Sequence, residues 1–370
     1  MKKINVPLKE NPYQVLIGNG IFSGIAAEIK KRKLNKNILI ITDSNVNGLY
    51  RNQAEAAFQK FDGRVDYLVL RPGENSKSPE TLEKIYSYLL SKKYGRDTLI
   101  AALGGGVIGD ISGFAASTFM RGTQFIQVPT TLLAACDSSI GGKTGINFKN
   151  TKNIIGTFYQ PEFVLTDLGF LKTLPQEEVL CGVGEILKYA FLSDQKFYAF
   201  IRMNLEGLLS KETVVMETAL LKSVKIKSEV VAGDEKEAGL RKILNLGHTF
   251  AHAYESVMDY KIKHGEAVIA GLACALILSR SMGLMDEKKY SELSRSLSPF
   301  NPAIKFRSLD KNRLYMAMLK DKKNRNGKIK FVLLQDVGRI LPDTEAEKKD
   351  VFQTLDEAGK FFTSQTGGRS

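Results

Sequence analysis

Arg241, Asn245, His248 and His252 recur in steps of four, three and four along the stretch Arg241-Lys-Ile-Leu-Asn-Leu-Gly-His-Thr-Phe-Ala-His252. On a helix of 3.6 residues per turn, those steps keep the four side chains within roughly 60° of one another. The spacing predicts one helical face carrying a cation, an amide and two imidazoles, with Gly247 among them. Leu244, Phe250, Ala251 and Tyr254 mostly fall elsewhere around the axis, where they can pack. Such a face gathers metal ligands and anion binders, so it is expected to wall an active site. Two histidines four apart also occur simply as hydrogen-bonded or exposed residues. A catalytic zinc usually takes three N, O or S ligands and leaves one position open. The one other histidine, His264, opens the next apolar run, and Gly184-Glu185-Ile-Leu-Lys188 sets an acid in an otherwise apolar helix. Glu185 is the candidate that would complete a set begun by the spaced pair His248 and His252.

These residues need a scaffold. In the first half, apolar runs Ile38–Thr42, Val65–Leu70 and Thr98–Leu103 alternate with helix-like stretches near 48–60 and 78–93. That alternation predicts a parallel sheet covered by helices, with ligands outside the carboxyl ends of the strands. Gly104-Gly-Gly106-Val-Ile-Gly109-Asp110 follows the third run and leads into a small-residue helix. Glycines there let the backbone approach a pyrophosphate whose charge sits on the helix N-terminus; the same glycines also suit packing alone. The usual acid after the following strand is missing, and Asp43 at an earlier strand end is the candidate for a ribose hydroxyl. Lys143 and Lys152 lie beside glycine-rich turns and can present ammonium donors to phosphates or carboxylates. Gly-Gly-Lys143-Thr is not a P-loop, because the position of that motif's first glycine holds Asp137.

From Thr173-Leu-Pro-Gln-Glu-Glu178 the pattern turns helical, with Pro175 and two acids suited to a first turn. Long helices are expected over Lys211–Ala232 and after His264, others over Asp286–Leu297 and Lys311–Lys320, then a short strand at Ile329–Leu334 in a hairpin or edge addition. The expected fold is an α/β nucleotide-binding domain, 1–174, with a parallel sheet flanked by helices, followed by an all-α domain, 175–370, and a cleft between them.

The 370 residues carry 53 basic and 40 acidic side chains, a formal charge of +13. That favours anionic ligands. The basic residues are spread along the chain without a nucleic-acid module signature, so nucleic acid is not expected as a partner. Three unspaced cysteines argue against a disulfide framework and suit a reducing cytosol. With no signal-peptide core and no apolar run long enough to span a bilayer, the expectation is a cytoplasmic protein without a membrane partner.

Taken together and in order, these segments resemble the 3-dehydroquinate synthase family of sugar phosphate cyclases. The resemblance runs from Asp43 to about Leu334 through Gly-Glu74-Asn-Ser-Lys77, Gly104 to Asp110, Phe119-Met-Arg121-Gly, Pro129-Thr-Thr131 and Asp137 to Lys143. It continues through Lys152-Asn-Ile-Ile-Gly156, Leu171-Lys-Thr-Leu-Pro175, Glu185-Ile-Leu-Lys188, Arg241 to His252, His264-Gly-Glu and Asp321-Lys-Lys323. Departures are small: Leu246 where the family often has Phe, Gly184 where Ala or a larger residue is common, Thr151 where Gly is common.

The resemblance implies bound NAD and one divalent cation, zinc or cobalt, per subunit. It makes Glu185, His248 and His264 the metal ligands, and turns His252 toward substrate instead. NAD would contact Asp43, Asn45, Glu74, Lys77, Gly105, Gly106, Asp110, Thr130, Thr131 and the Lys172-Thr173 turn, with Lys143 and Lys152 close to both ligands. Substrate would be held by Asp137, Lys143, Lys152, Asn153, Lys188, Lys227, Arg241, Asn245, His252 and Lys323, the last chosen over Lys322. Arg121 would reach into a partner subunit's site, which implies a homodimer. The implied activity is a carbon–oxygen lyase step of aromatic biosynthesis, the shikimate pathway: 3-deoxy-D-arabino-heptulosonate 7-phosphate to 3-dehydroquinate and phosphate. It proceeds by transient oxidation, phosphate elimination, re-reduction and aldol closure. The rivals are a cyclase making 2-deoxy-scyllo-inosose or 2-epi-5-epi-valiolone, and a metal-dependent polyol dehydrogenase.

Overall fold

The computed structural model describes residues 1–149, 151–320 and 328–363. Its strands are β1 (Lys2–Val6), β2 (Tyr13–Gly18), β3 (Asn37–Asp43), β4 (Arg64–Leu70), β5 (Thr98–Gly104), β6 (Gln124–Pro129), β7 (Lys143–Phe148), β8 (Thr151–Phe158), β9 (Phe163–Asp167), β10 (Lys330–Asp336) and β11 (Arg339–Glu345). The helices begin with α1 (Ile25–Lys31), α2 (Ser44–Phe58), α3 (Pro79–Ser91), α4 (Gly106–Thr118), α5 (Leu168–Leu171), α6 (Gln176–Leu192) and α7 (Gln195–Met203). They continue with α8 (Leu205–Leu209), α9 (Thr213–Gly233), α10 (His248–Val257), α11 (His264–Ser281), α12 (Glu287–Ser294), α13 (Lys311–Leu319) and α14 (Lys348–Thr363). The chain divides into two compact units, Met1–Val179 with Lys211–Lys236, and Leu180–Ser210 with the chain from Glu237 onward.

The first unit is built on a seven-stranded sheet in the order β1-β2-β9-β6-β5-β3-β4, parallel except for the β1–β2 pair. Its central strands are apolar on both faces. Ile38 and Ile40 of β3 join one buried cluster with Phe22, Leu103 and Phe170, while Leu39 and Ile41 join the other with Ile85, Ile111 and Phe114. That is why these strands read as unbroken apolar runs rather than alternating ones. Asp43 ends β3 and caps α2, its Oδ1 accepting from the amides of Asn45 and Val46. Ser78 caps α3, with Pro79 at the first helical position. A separate antiparallel hairpin, β7–β8, packs on α4.

The division into units differs from a cut at 174. The first unit runs on to Val179, and α9 returns to it because its apolar face packs on β1 and β2. The second unit is helical apart from the β10–β11 hairpin, so it is not all-α. Its centre is α11, buried on nearly every side from Ala267 to Ser279, as a helix apolar all round must be. Among the described residues no helix is long and apolar enough to cross a membrane. The C-terminal α14, which no expectation covered, buries Val351, Leu355, Ala358 and Phe362.

A further expectation is corrected. The stretch Arg241 to His252 is not one helix. Leu240–Asn245 forms a 3₁₀ turn, and α10 starts afresh at His248. Between them Gly247 adopts φ +76°, a left-handed conformation that interrupts the helix and that glycine accepts without steric cost.

Candidate active site

Glu185 on α6, His248 at the start of α10 and His264 at the start of α11 converge in the second unit. Among the described residues they form the one group of three whose ligand atoms all lie within 4.8 Å of one another. Glu185 is fully buried, and its Oε1 faces His248 Nε2 at 3.3 Å and His264 Nε2 at 3.2 Å. Tetrahedral zinc with bonds of ~2.0–2.1 Å has ligand–ligand edges of ~3.3 Å, so these two edges already have the right length. Lys188, one turn on along α6 and also buried, pairs with the other oxygen, Oε2.

Electrostatics sets the three groups differently. Burial pushes the Glu185 carboxyl up, but the Lys188 ammonium and the two imidazoles outweigh it and hold it well below the usual range. Burial pushes His248 down to about 4 against the pull of Glu185. Burial opposes charge on His264 as well, yet hydrogen bonds to Glu185 and Glu255 prevail and raise it to about 10. His248 is therefore neutral at pH 7, with one ring proton for two acceptors: Nδ1 faces the Leu246 carbonyl at 3.2 Å and Nε2 faces Glu185. Whichever nitrogen holds the proton, the other directs a lone pair at an oxygen lone pair. A cation on the Nε2 side removes that conflict, so the donor set fits a divalent metal.

A glycine adjoins each ligand, and each glycine is a close backbone contact. A Cβ on Gly184 would lie 2.6 Å from Gly265 O, and one on Gly265 would lie 2.3 Å from Cys181 Cα. A Cβ on Gly271 would lie 2.2 Å from Gly247 O. The helices bearing the ligands thus touch backbone to backbone beside the ligands themselves. Gly184 is required here by the approach of α11.

His252 follows His248 by one turn of α10, with ring centroids 5.5 Å apart, but stands outside the three-ligand group. Arg241 is buried on the 3₁₀ turn, and the Asn245 amide approaches Glu237 at 3.4 Å. The break at Gly247 removes these two from a common helical face with the imidazoles. Lys323 lies outside the described residues.

In the first unit a chain of polar contacts joins residues from four segments. Lys77, buried, donates to Asp110 Oδ2 on α4 at 2.7 Å and to Asn153 Oδ1 on β8. Asn147 on β7 donates to Glu74 Oε1 at 2.9 Å and accepts from the Asn153 amide at 2.9 Å, while its own amide bonds Lys77 O at 2.8 Å. Burial raises the Asp110 carboxyl, opposed by the Lys77 ammonium. Asn147 was not foreseen; a hairpin Asn gives no sign of such a role before its partners are known. On α9, Lys227 donates to Asp137 Oδ1 and to Asp137 O, each at 2.8 Å.

The glycine turn ends β5, and α4 starts at Gly106 with Gly105 as an N-cap lacking a side-chain acceptor. A Cβ on Gly105 would meet Thr131 Cγ2 at 3.0 Å, and the Thr130 amide bonds Gly104 O. Asn45, Lys143, Lys172 and Thr173 are exposed and Lys152 half-buried. Thr173 Oγ1 bonds the Tyr50 hydroxyl of α2, which ties this turn to the helix that Asp43 caps. Arg121 is exposed in a turn where Met120, Arg121 and Gly122 all have positive φ.

The family model for the 3-dehydroquinate synthase N-terminal region matches residues 67–181, and that for the C-terminal region matches 182–324. A 3-dehydroquinate synthase of Acetivibrio thermocellus is 39% identical over 361 residues, covering 96% of this chain and all of that one. Among solved structures, 2-deoxy-scyllo-inosose synthase complexed with carbaglucose-6-phosphate, NAD+ and Co2+ superposes with a TM-score of 0.88 at 26% identity, covering 96% of this chain and 99% of that one. The 2-epi-5-epi-valiolone synthase of Streptomyces hygroscopicus with NAD+ and Zn2+ superposes at 0.86 and 26%, covering 96% and 98%. The resemblance read from the motifs is thus carried by the whole chain, which belongs to the 3-dehydroquinate synthase family.

Proposed function

We propose that the protein converts 3-deoxy-D-arabino-heptulosonate 7-phosphate to 3-dehydroquinate and phosphate, with NAD and one divalent cation bound. The observation that carries this reading is 39% identity along 96% of the chain to a relative of that activity. The cyclases that make other carbocycles stand at 26%.

Glu185, His248 and His264 would hold the cation; its donor set of one carboxylate and two imidazoles suits zinc or cobalt. When bound, NAD supplies the hydride acceptor and later donor, and the dication polarises substrate oxygens. The protein's share is charge and orientation. Lys188 balances the Glu185 carboxylate. Gly105 and Gly106 leave the first amides of α4 without a side-chain acceptor, which suits the dinucleotide pyrophosphate. Asp43 uses Oδ1 for its cap, leaving Oδ2 for a ribose hydroxyl, with Asn45, Thr130, Thr131, Lys172 and Thr173 as further contacts. The Glu74–Asn147–Asn153–Lys77–Asp110 chain fixes the polar wall beside the nicotinamide. Lys143, Lys152, Asn153, Arg241, Asn245, His252 and Lys323 would answer the carboxylate and phosphate of the substrate, and Asp137, held by Lys227, would accept from a substrate hydroxyl. Because hydride is returned, the net reaction is elimination and ring closure rather than oxidation.

The protein would act as a homodimer in the cytoplasm. Met120, Phe148, Ile154, Ile155 and Phe158 are 38–47% exposed on the β7–β8 hairpin and the turn that carries Arg121. The Tyr159 hydroxyl, just beyond β8, bonds Thr123 O at 2.7 Å and joins the two. Such an exposed apolar surface supports this reading, and a second copy seated there would receive Arg121. The deciding experiment is incubation with the heptulosonate phosphate, NAD and zinc or cobalt, following phosphate and dehydroquinate together. Equal yields with no net NADH support the reading. NADH accumulating with simple polyols would replace it by a dehydrogenase, and a different carbocycle by another cyclase.

A further inference from the structure

The two ligand imidazoles are oriented by unlike partners. His248 Nδ1 faces a backbone carbonyl, Leu246 O, at 3.2 Å, whereas His264 Nδ1 faces a carboxylate, Glu255 Oε1, at 3.4 Å. Glu255 is buried, and it lies on α10 seven residues after His248, two turns along the same face. It approaches the His264 ring on the side away from Glu185, so it orients a ligand and is not one of the three.

We infer that Glu255 is a positioning residue that fixes the orientation of the His264 ring, and so sets the affinity of the site for its cation. This rests on the ligand assignment proposed above. A carboxylate only accepts, so Glu255 holds the Nδ1 proton and leaves Nε2 as the nitrogen for a cation where Glu185 and His248 converge. The Leu246 carbonyl faces His248 Nδ1 in the same way but adds no charge. One helix therefore supplies a ligand from its first residue and the orienting carboxylate of another ligand from its last turns. A buried carboxylate is costly to retain for packing alone, and a ligand's partner is a reason to retain it.

The test is Zn2+ and Co2+ affinity of the full-length protein, measured by competition with a chromophoric chelator. Glu255→Gln, which keeps the shape and removes the charge, is expected to bind about 10–100-fold more weakly and to shift the visible absorption of the Co2+ form. Its metal-free melting temperature should stay close to wild type. Ser256→Gly, on the exposed side of the same helix, is the control for loosening α10 and should keep wild-type affinity. Should the Gln variant not fold, Glu255→Asp retains charge at a longer reach and should bind about tenfold more weakly. Wild-type affinity in whichever variant folds, or equal loss in Ser256→Gly, overturns the inference. His264→Ala in the same assay separates the two readings: if it binds metal as wild type does, the ligand set itself is wrong.

Discussion

The two units position their functional side chains by different means. In the first, Glu74, Lys77, Asp110, Asn147 and Asn153 reach one another from turns, a helix and a hairpin, and the links are side-chain hydrogen bonds. In the second, Glu185, His248 and His264 sit on three helices whose backbones meet at glycines beside each ligand. A ligand–metal distance tolerates little error, and a backbone contact leaves few degrees of freedom. A dinucleotide is held by many weaker contacts, and rotatable side chains on loops can adjust to it. The contrast teaches that the metal half is the stiffer one, and it can be broken in stages.

The largest expected effect is at the ligands. Lewis-acid polarisation is worth several kcal/mol, so His264→Ala should lose its metal and roughly a thousand-fold of activity. His252→Ala should keep the metal while slowing turnover. Metal content by atomic absorption alongside kcat checks this; equal metal loss in both variants would return the site to the pair that helical spacing favours.

Next come the glycines, where the two units should part. Gly265→Ala sets a methyl group 2.3 Å from Cys181 Cα and 2.5 Å from Leu180 O, backbone atoms that cannot swing away. Overpacking of that kind costs about 3 kcal/mol or more, and metal affinity should fall with the melting temperature. Gly105→Ala meets only the Thr131 side chain at 3.0 Å and has an ordinary φ of −77°. Its stability cost should stay below about 1 kcal/mol, while NAD binding weakens. Thermal melts and NAD titrations of both variants decide it. A Gly105 variant as unstable as the Gly265 one would erase the contrast.

Much of this was legible in the sequence. The apolar runs at Ile38, Val65 and Thr98 became β3, β4 and β5, and the glycine turn lies between β5 and α4 as its spacing implied. The helix break at Gly247 was not legible, because Leu244, Phe250, Ala251 and Tyr254 keep a helical period across it. At the break Gly247 has φ +76°, and its backbone lies against Gly271, 24 residues away. The return of α9 to the first unit was hidden for the same reason: an apolar helix face does not name its partner. Periodicity offered His248 with His252, whereas the group that forms takes Glu185 and His264 from two other helices. Glu185 was already the candidate acid, and the family resemblance is what put His264 in the place of His252. The need for glycine at 184 becomes intelligible once Gly265 is seen against it.

A smaller effect tests the first unit's network. Asn147→Ala removes one side-chain hydrogen bond to Glu74 of the β4–α3 loop and one to the Asn153 amide within the hairpin, each worth about 0.5–1.5 kcal/mol. NAD affinity should fall by about tenfold, with metal content unchanged and only a minor shift in melting temperature. Titration of NAD into the zinc-loaded protein measures it, and a loss of metal instead would mean that the two sites share one rigid frame.

The smallest effect is a silence that should end on cue. None of the three cysteines is in a disulfide and all are buried, Cys136 in the first unit and Cys181 and Cys274 in the second. Burial pushes the Cys274 thiol up to about 12. At pH 8 only about one molecule in ten thousand then carries the thiolate, the reactive form. A thiol reagent should therefore find no fast group in the native protein and three after denaturation. Cys181 is the useful reporter, since its Cα lies under the Gly265 contact. If backbone contact is what stiffens the metal half, Gly265→Ala should expose Cys181 to reagent at a rate well above wild type. Asn147→Ala, which loosens only a side-chain network, should leave all three thiols silent.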